Sequence, residues 1–171
     1  VTIRPAREGD VEFVFSLIVA LAEYERARDS VTGSPELLRR ALFADPPAAE
    51  AVIAERDGEP IGFALFHGTF STWECRPGIW LEDLFVLPEH RRGGVGEALF
   101  RHVAGIALER GYTRYQWVAL DWNEPALRFY EKLGATVLRD WLLHRLDGDA
   151  LRRVADRTDA AGAGGTGAGG A

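Results

Sequence analysis

The sequence predicts an α/β fold in which a mixed β-sheet carries helices on both faces. Three observations carry that expectation. Apolar residues alternate with a period of 2 in some segments and of about 3.6 in others, giving the order β, α, α, β, β, β, α, β, α, β, β. Turn chemistry separates the segments: Pro5, Ser34-Pro35, Asp57-Gly58, Gly93-Gly94, Asn123-Glu124-Pro125 and Gly134. With 47% hydrophobic residues in a chain of 171, there is enough apolar side chain for the core of one domain.

Each element has a local reason. Thr2-Ile3-Arg4 reads as a short strand ended by Pro5, and Asp10 as the cap of a helix with Phe13, Leu17, Ile18 and Leu21 on one face. Ser34 and the first-turn Pro35 start a second helix through Leu38 and Leu42. Ala51 to Arg56 and Ile61 to His67 are strands joined by a hairpin turn at Asp57-Gly58-Glu59-Pro60. Ile79 to Val86 is the fourth strand, followed by a helix from about Gly94 to Glu109. Tyr115 to Leu120 is read as strand five. Asn123-Glu124-Pro125 opens a helix carrying Ala126, Phe129, Tyr130 and Leu133 and stopped by Gly134. Val137-Leu138 and Trp141 to Leu146 read as short closing strands, and Asp149 to Val154 as a helical turn. Residues 1–157 are expected to form a single domain. Residues 158–171 are expected to be a disordered tail, since 160–171 hold only Gly, Ala and one Thr, with nothing to bury.

The most informative segment is Arg91-Arg92-Gly93-Gly94-Val95-Gly96. A strand, a basic glycine-rich turn and a helix N-terminus in that order make an anion site, because free N–H groups and the helix dipole face the ligand. A Walker loop would need a following Lys-Ser/Thr, which is absent; a dinucleotide fingerprint would need glycine where Leu99 stands. A glycine-rich surface turn with two solvated arginines is the bland alternative. In strand four, strict alternation puts Trp80, Glu82, Leu84 and Val86 on one face and Leu81, Asp83 and Phe85 on the other. Each acid then interrupts an apolar row, and a buried carboxylate needs a partner or a task. Asp83 is read as a strand-end acid paired to an arginine, and Glu82 as the functional one. Tyr130 lies on an apolar helix face, where packing or proton transfer would both suit it.

Bulk properties narrow the classes. A net charge of −6 argues against nucleic acid as a partner and favours cationic ligands. One cysteine, Cys75, excludes an internal disulfide and suits a reducing cytoplasm. The histidines His67, His90, His102 and His144 lack metal-ligand spacing, so no metal is expected. Val1-Thr2-Ile3-Arg4 enters directly on a strand pattern, which predicts no signal peptide, and no run is long enough to span a membrane.

Arg-x-x-Gly-x-Gly at a strand–helix junction resembles the pyrophosphate-binding motif of the GNAT superfamily of N-acetyltransferases. Leu81 to Val86, Arg91 to Gly96, Trp122-Asn123-Glu124-Pro125, Phe129-Tyr130 and Gly134-Ala135 are similar to one subgroup, the diamine (spermidine/spermine) and thialysine N-acetyltransferases. Arg4-Pro5-Ala6, Asp10 and Leu21-Ala22-Glu23-Tyr24-Glu25 extend the similarity to the N-terminal end. The resemblance implies a mostly antiparallel sheet whose fourth and fifth strands splay to admit the pantetheine arm of acetyl-CoA. It implies that Tyr130 is the proton donor to the CoA thiolate, and that Glu82 accepts the amine proton through water. Backbone groups of Leu84, Phe85 and Val86 would bind pantetheine like an added strand. Arg91, Arg92, Gly93, Gly94, Val95, Gly96 and Glu97 would hold the pyrophosphate, and Asn123, Glu124, Pro125, Ala126 and Tyr130 would contact the cofactor. Tyr24, Glu25, Glu82, Gln116, Trp117 and Val118 would line the acceptor. The chemistry needs such groups: an alkyl amine of pKa about 10.4 must lose a proton to attack, and a thiol of pKa about 8.5 leaves better when its sulfur is protonated.

Two positions depart from the polyamine enzymes. An acid that precedes a Trp there follows it here, as Glu74 after Trp73, and Glu23 stands where a Lys is usual before Tyr24-Glu25. The implied acceptor is therefore a small primary amine, either a diamine or polyamine or a lysine-like amino acid. A protein or peptide amine and a non-catalytic acyl-CoA sensor remain the alternatives, although a sensor would need neither Glu82 nor Tyr130. The resemblance also implies a homodimer.

Overall fold

The computed structural model describes residues 1–162, with side chains through Asp156. It falls into two compact units, Val1–Leu120 and the segment from Asp121 onward. The first contains β1 (Thr2–Pro5), α1 (Val11–Tyr24), α2 (Pro35–Phe43), β2 (Glu50–Arg56), β3 (Glu59–Ser71), β4 (Arg76–Val86), α3 (Val95–Glu109) and β5 (Tyr115–Gln116). The second contains α4 (Glu124–Lys132) and α5 (Gly148–Gly162).

The sheet runs β1-β2-β3-β4-β5, antiparallel through β4 and parallel between β4 and β5. The β2–β3 turn is the expected one, with Asp57 and Gly58 both at positive φ, the geometry that matches the twist of a hairpin. One face of the sheet, through Ala51, Ile53, Phe63, Leu65 and Phe85, packs on Val14 and Leu17 of α1 and Leu42 of α2. The other is covered by α3, whose Val95, Leu99, Val103 and Ala107 are buried. Helices therefore cover both faces, as expected.

The decisive irregularity is in β4. Leu65 pairs with Asp83 and Phe66 with Leu81, so Glu82 is an extra residue, a β-bulge. Strict alternation fails there. Leu81, opposite Phe66, joins the face that Leu84 and Val86 turn to α3, while Asp83 and Phe85 face α1 and α2. The expected row of Leu81 with Asp83 and Phe85 is thus corrected: a bulge inverts the parity of everything upstream of it.

Strand five is also shorter than its pattern. Only Tyr115 and Gln116 pair, with Ile79 and Trp80, whereas residues 117–120 form no ladder. A bulge sharpens the local twist, and β4 leaves its neighbour just where Glu82 begins to disturb it. The expected strands at 137–138 and 141–146 do not form; apolar alternation marks a segment that can pair, but a strand exists only where a partner edge meets it. The turn expected at Asp149 to Val154 is instead the longer α5. Of the expected tail, residues 163–171 lie outside the described residues.

Asp10 differs too. It makes no cap bond to α1. Instead it accepts two hydrogen bonds from Arg4, at 2.7 and 2.9 Å, and one from the Arg7 N–H at 2.6 Å. Arg4 also donates from Nε to Glu55 at 2.7 Å. This cluster fixes β1, β2 and the start of α1 together.

The Arg4 guanidinium holds the Asp10 carboxyl below its ordinary value. The stability Asp10 contributes is therefore present above the unfolded pKa of about 3.9 and lost as pH falls through the lower folded value. We expect Asp10→Ala to cost about 1.5–3 kcal/mol at pH 7, the range for charge-assisted hydrogen bonds, and progressively less on acidification below pH 4. Urea unfolding across that range checks it; a pH-independent difference refutes it.

Candidate active site

The bulge at Glu82 brings the acids of the site to one side of β4. Asp83 shares its face with Leu65, and His67 and Trp80, paired two residues further along, share that face too. The Glu82 carboxylate accepts from Trp80 Nε1 at 2.9 Å and lies 3.7 Å from His67 Nε2, so it turns toward the same side. Its side chain is 56% exposed. Asp83 beside it is half-buried, and its pKa is pushed up to about 6, first by burial and then by the charges of Glu82 and Glu25. Glu25, the residue that follows α1, is itself raised by burial. Three carboxylates thus lie near one another, an arrangement suited to a cation or a proton.

The expected arginine partner of Asp83 is not found among the described residues, and burial next to two other acids is what raises its pKa. Sequence reasoning also missed His67. Both omissions have one cause: the register that sets His67 opposite Trp80, and the bulge that turns Glu82 toward them, are pairing facts no local pattern displays.

On its far edge, β4 pairs with β5 only at Ile79 and Trp80, so from Leu81 to Val86 no strand of the described residues occupies that edge. Backbone donors and acceptors there can pair with an extended ligand. Immediately beyond, the chain turns through Pro88–His90 into the glycine loop. Arg91 does not point its guanidinium outward alone. Its Nε donates to the Val86 carbonyl at 2.9 Å, and its Cζ sits 4.9 Å from the Phe85 ring centre and 5.5 Å from that of Tyr24. It ties the loop to the end of β4 and to α1 by a hydrogen bond and cation–π contact. Arg92 has φ 64 and Gly94 φ 75, so the loop turns twice through the left-handed region. A non-glycine residue held there marks backbone the surrounding fold over-determines, as sites often do. Gly94 supplies no side-chain cap, and the first intrahelical bond is from Ala98 N to Gly94 O at 2.9 Å. The N–H groups of Val95, Gly96 and Glu97 therefore have no helical acceptor and offer an anion site.

The remaining expected residues are placed as follows. Gln116 ends β5; Trp117 packs edge-on to Phe100 at 4.9 Å; Val118 is exposed. In the second unit, Asn123 caps α4, its Oδ1 accepting from Ala126 N at 3.4 Å, with Glu124 and Pro125 in the first turn. Tyr130 lies half-buried on that helix beside Phe129, ring centres 5.2 Å apart.

Asp83 gains a proton more readily folded than unfolded, so its burial costs nothing below the unfolded pKa of about 3.9 and destabilises increasingly as pH rises through about 6. Asp83→Asn should therefore stabilise the fold at pH 8, by up to roughly 3 kcal/mol for a shift of about two units, and by little at pH 4. Thermal unfolding at the two pH values checks this; a gain that does not grow with pH refutes it.

Comparison with known proteins fits this geometry. The pattern of the acetyltransferase (GNAT) family matches residues 17–135. A thialysine N-epsilon-acetyltransferase of Bos taurus is 38% identical over 168 residues, spanning 92% of this chain and 98% of that one. An L-ornithine N5-acetyltransferase of Arabidopsis thaliana is 40% identical over 93 residues, or 54% of this chain and 41% of that protein. Among solved structures, an integron cassette protein from the mobile metagenome of V. cholerae shares the fold, with a TM-score of 0.74 at 24% identity over 90% of this chain and 96% of that one. With its family pattern covering more than half its length, the chain belongs to the acetyltransferase (GNAT) family and is an N-acetyltransferase.

Proposed function

We propose that this enzyme transfers the acetyl group of acetyl-CoA directly to the primary amine of a small cationic acceptor, a lysine-like amino acid or a diamine or polyamine. The observation that carries the reading is the bulge at Glu82, which turns Glu82 to the side of β4 that Asp83 faces, with Glu25 near enough to act on Asp83. An ammonium group entering there gains three carboxylates at once, and a chain of net charge −6 favours its approach. The relatives named for thialysine and L-ornithine acetylation support a basic amino acid as the acceptor.

The residues fit acetyl-CoA, the co-substrate used by this family in general. The open edge at Leu84, Phe85 and Val86 suits the amides of pantetheine, and the unclaimed N–H groups from Arg92 to Glu97 suit the pyrophosphate. We assign Asn123 to Ala126 to the same ligand, and Tyr24, Gln116, Trp117 and Val118 to the acceptor. When bound, the thioester supplies an activated acetyl group. The chain's own work is proton management. Asp83 and Glu25 hold the ammonium form; Glu82 takes a proton from it through water, freeing the nitrogen lone pair to form the new N–C bond. Tyr130 gives its phenolic proton to the sulfur as the C–S bond breaks, and the second proton that the nitrogen sheds in becoming an amide passes to solvent, from which the phenol is restored. We take residues 1–157 as one N-acetyltransferase domain working as a homodimer, which light scattering tests.

A panel of thialysine, lysine, ornithine, putrescine, spermidine and a lysine peptide, read by release of free CoA, tests the acceptor. Basic amino acids or diamines should lead, and turnover of the peptide alone would overturn the reading. Tyr130→Phe should lower kcat by about 10²–10⁴-fold, the usual contribution of a general acid, with little change in either KM. Glu82→Gln should lose rate chiefly at neutral pH and recover partly as rising pH deprotonates the amine. Full activity of Tyr130→Phe, or no recovery for Glu82→Gln with any acceptor, removes the respective role.

A further inference from the structure

We infer that Arg56, at the end of β2 and remote in sequence from the glycine loop, is a phosphate ligand of that loop. The inference rests on the reading that the loop binds acetyl-CoA. Arg56 is half-buried, and its side chain reaches the loop: Nη1 lies 3.3 Å from His90 Nδ1, and Nη2 stands 3.3 Å from the position a Cβ would take on Gly93.

Three features single it out. First, the other half-buried arginines of the sheet unit each have a carboxylate partner: Arg4 has Asp10 and Glu55, Arg39 has Glu36 and Arg114 has Glu74. Arg56 has no carboxylate within ion-pair distance among the described residues, although the chain holds 26 acids against 20 basic residues. Partly desolvating a guanidinium without an anion is unfavourable, so the fold sustains it where an anion will come. Second, Gly93 is not among the residues at positive φ, so its backbone does not require glycine. A methyl group there would stand 3.3 Å from Arg56 Nη2, so the guanidinium, lying against the loop at this point, would have to give by a few tenths of an ångström. Third, arginine can only donate, so His90 Nδ1 accepts. That bond orients the guanidinium while using one of its five N–H groups. The remainder form the planar fork that matches phosphate oxygens.

The ligand carries two kinds of phosphate, the bridging pyrophosphate and the 3′-phosphate, and the same fork suits either. Calorimetry with CoA and with dephospho-CoA, which lacks the 3′-phosphate, separates them. Arg56→Ala should weaken CoA binding at least tenfold and flatten its salt dependence, and Arg56→Lys, keeping charge but not the fork, should recover part of the loss. An equal loss with dephospho-CoA assigns Arg56 to the pyrophosphate; a loss confined to CoA assigns it to the 3′-phosphate. His90→Ala should change CoA affinity less than threefold. A loss as large as that of Arg56→Ala would make Arg56 merely an anchor of the loop and overturn direct contact. CoA affinity within twofold of wild type in Arg56→Ala would also overturn it. Gly94→Val reports separately on the loop: loss of CoA binding there, with Arg56→Ala unaffected, defeats this inference alone, whereas unchanged binding in Gly94→Val defeats the loop assignment.

Discussion

A single extra residue in β4 organises the molecule. Without the bulge, a strand reading Ile79-Trp80-Leu81-Glu82-Asp83-Leu84-Phe85-Val86 would have to place an acid in each of its two apolar rows, with both faces covered by helices. The bulge resolves this by shifting parity at Glu82. Ile79, Leu81, Leu84 and Val86 all serve the α3 side, Phe85 serves the α1 and α2 core, and the two acids end up together instead of on opposite faces. The same distortion ends the pairing with β5 after two residues and leaves the last part of β4 with an open edge. The pairing of the two acids and the open edge of β4 both follow one backbone irregularity, which is how bulges commonly serve sites.

The arrangement is electrostatically polarised along β4. Its acidic side holds Asp83 at a pKa of about 6 and raises Glu25, both through burial first of all. That is a standing cost to the fold, tolerable because the rest of the sheet is buried in ordinary apolar packing and because the Arg4 cluster secures the first strand. Its C-terminal end holds the basic loop. On the proposed reading, the ammonium is drawn to the acids at Glu82 and Asp83 and the polyphosphate to the loop just beyond Val86.

Arg91 links these two regions. Its hydrogen bond to Val86 O and its contacts with the Phe85 and Tyr24 rings join the loop to the end of α1, which Glu25 follows. The first arginine of the motif is thus largely committed to holding the loop. On our proposal, charge toward phosphate comes from backbone amides, from Arg92 and from Arg56. Strain at Arg92 is sustained because both neighbours of the turn are fixed, one by Arg91 and the other by the start of α3.

Sequence alone determined a good deal. The glycine loop, the helix starts at Ser34-Pro35 and Asn123-Glu124-Pro125, and the Asp57-Gly58 turn were legible because each depends on a few adjacent residues whose backbone preferences are strong. The order of elements followed from periodicity over long segments, and the family from motifs at fixed spacing. What only the tertiary structure decided depends on contacts between distant residues. The bulge at Glu82 exists only in the register of β4 against β3, so the true partners of Leu81 and the nearness of His67 to Glu82 were hidden. Asp10 satisfies all the local rules for a cap, yet the guanidinium of Arg4 competes for its oxygens and wins. Strand five and the run at 137–146 have strand-like composition, but composition supplies no partner edge. Arg56 carried no local signal at all, because its meaning comes from a loop that begins more than thirty residues later.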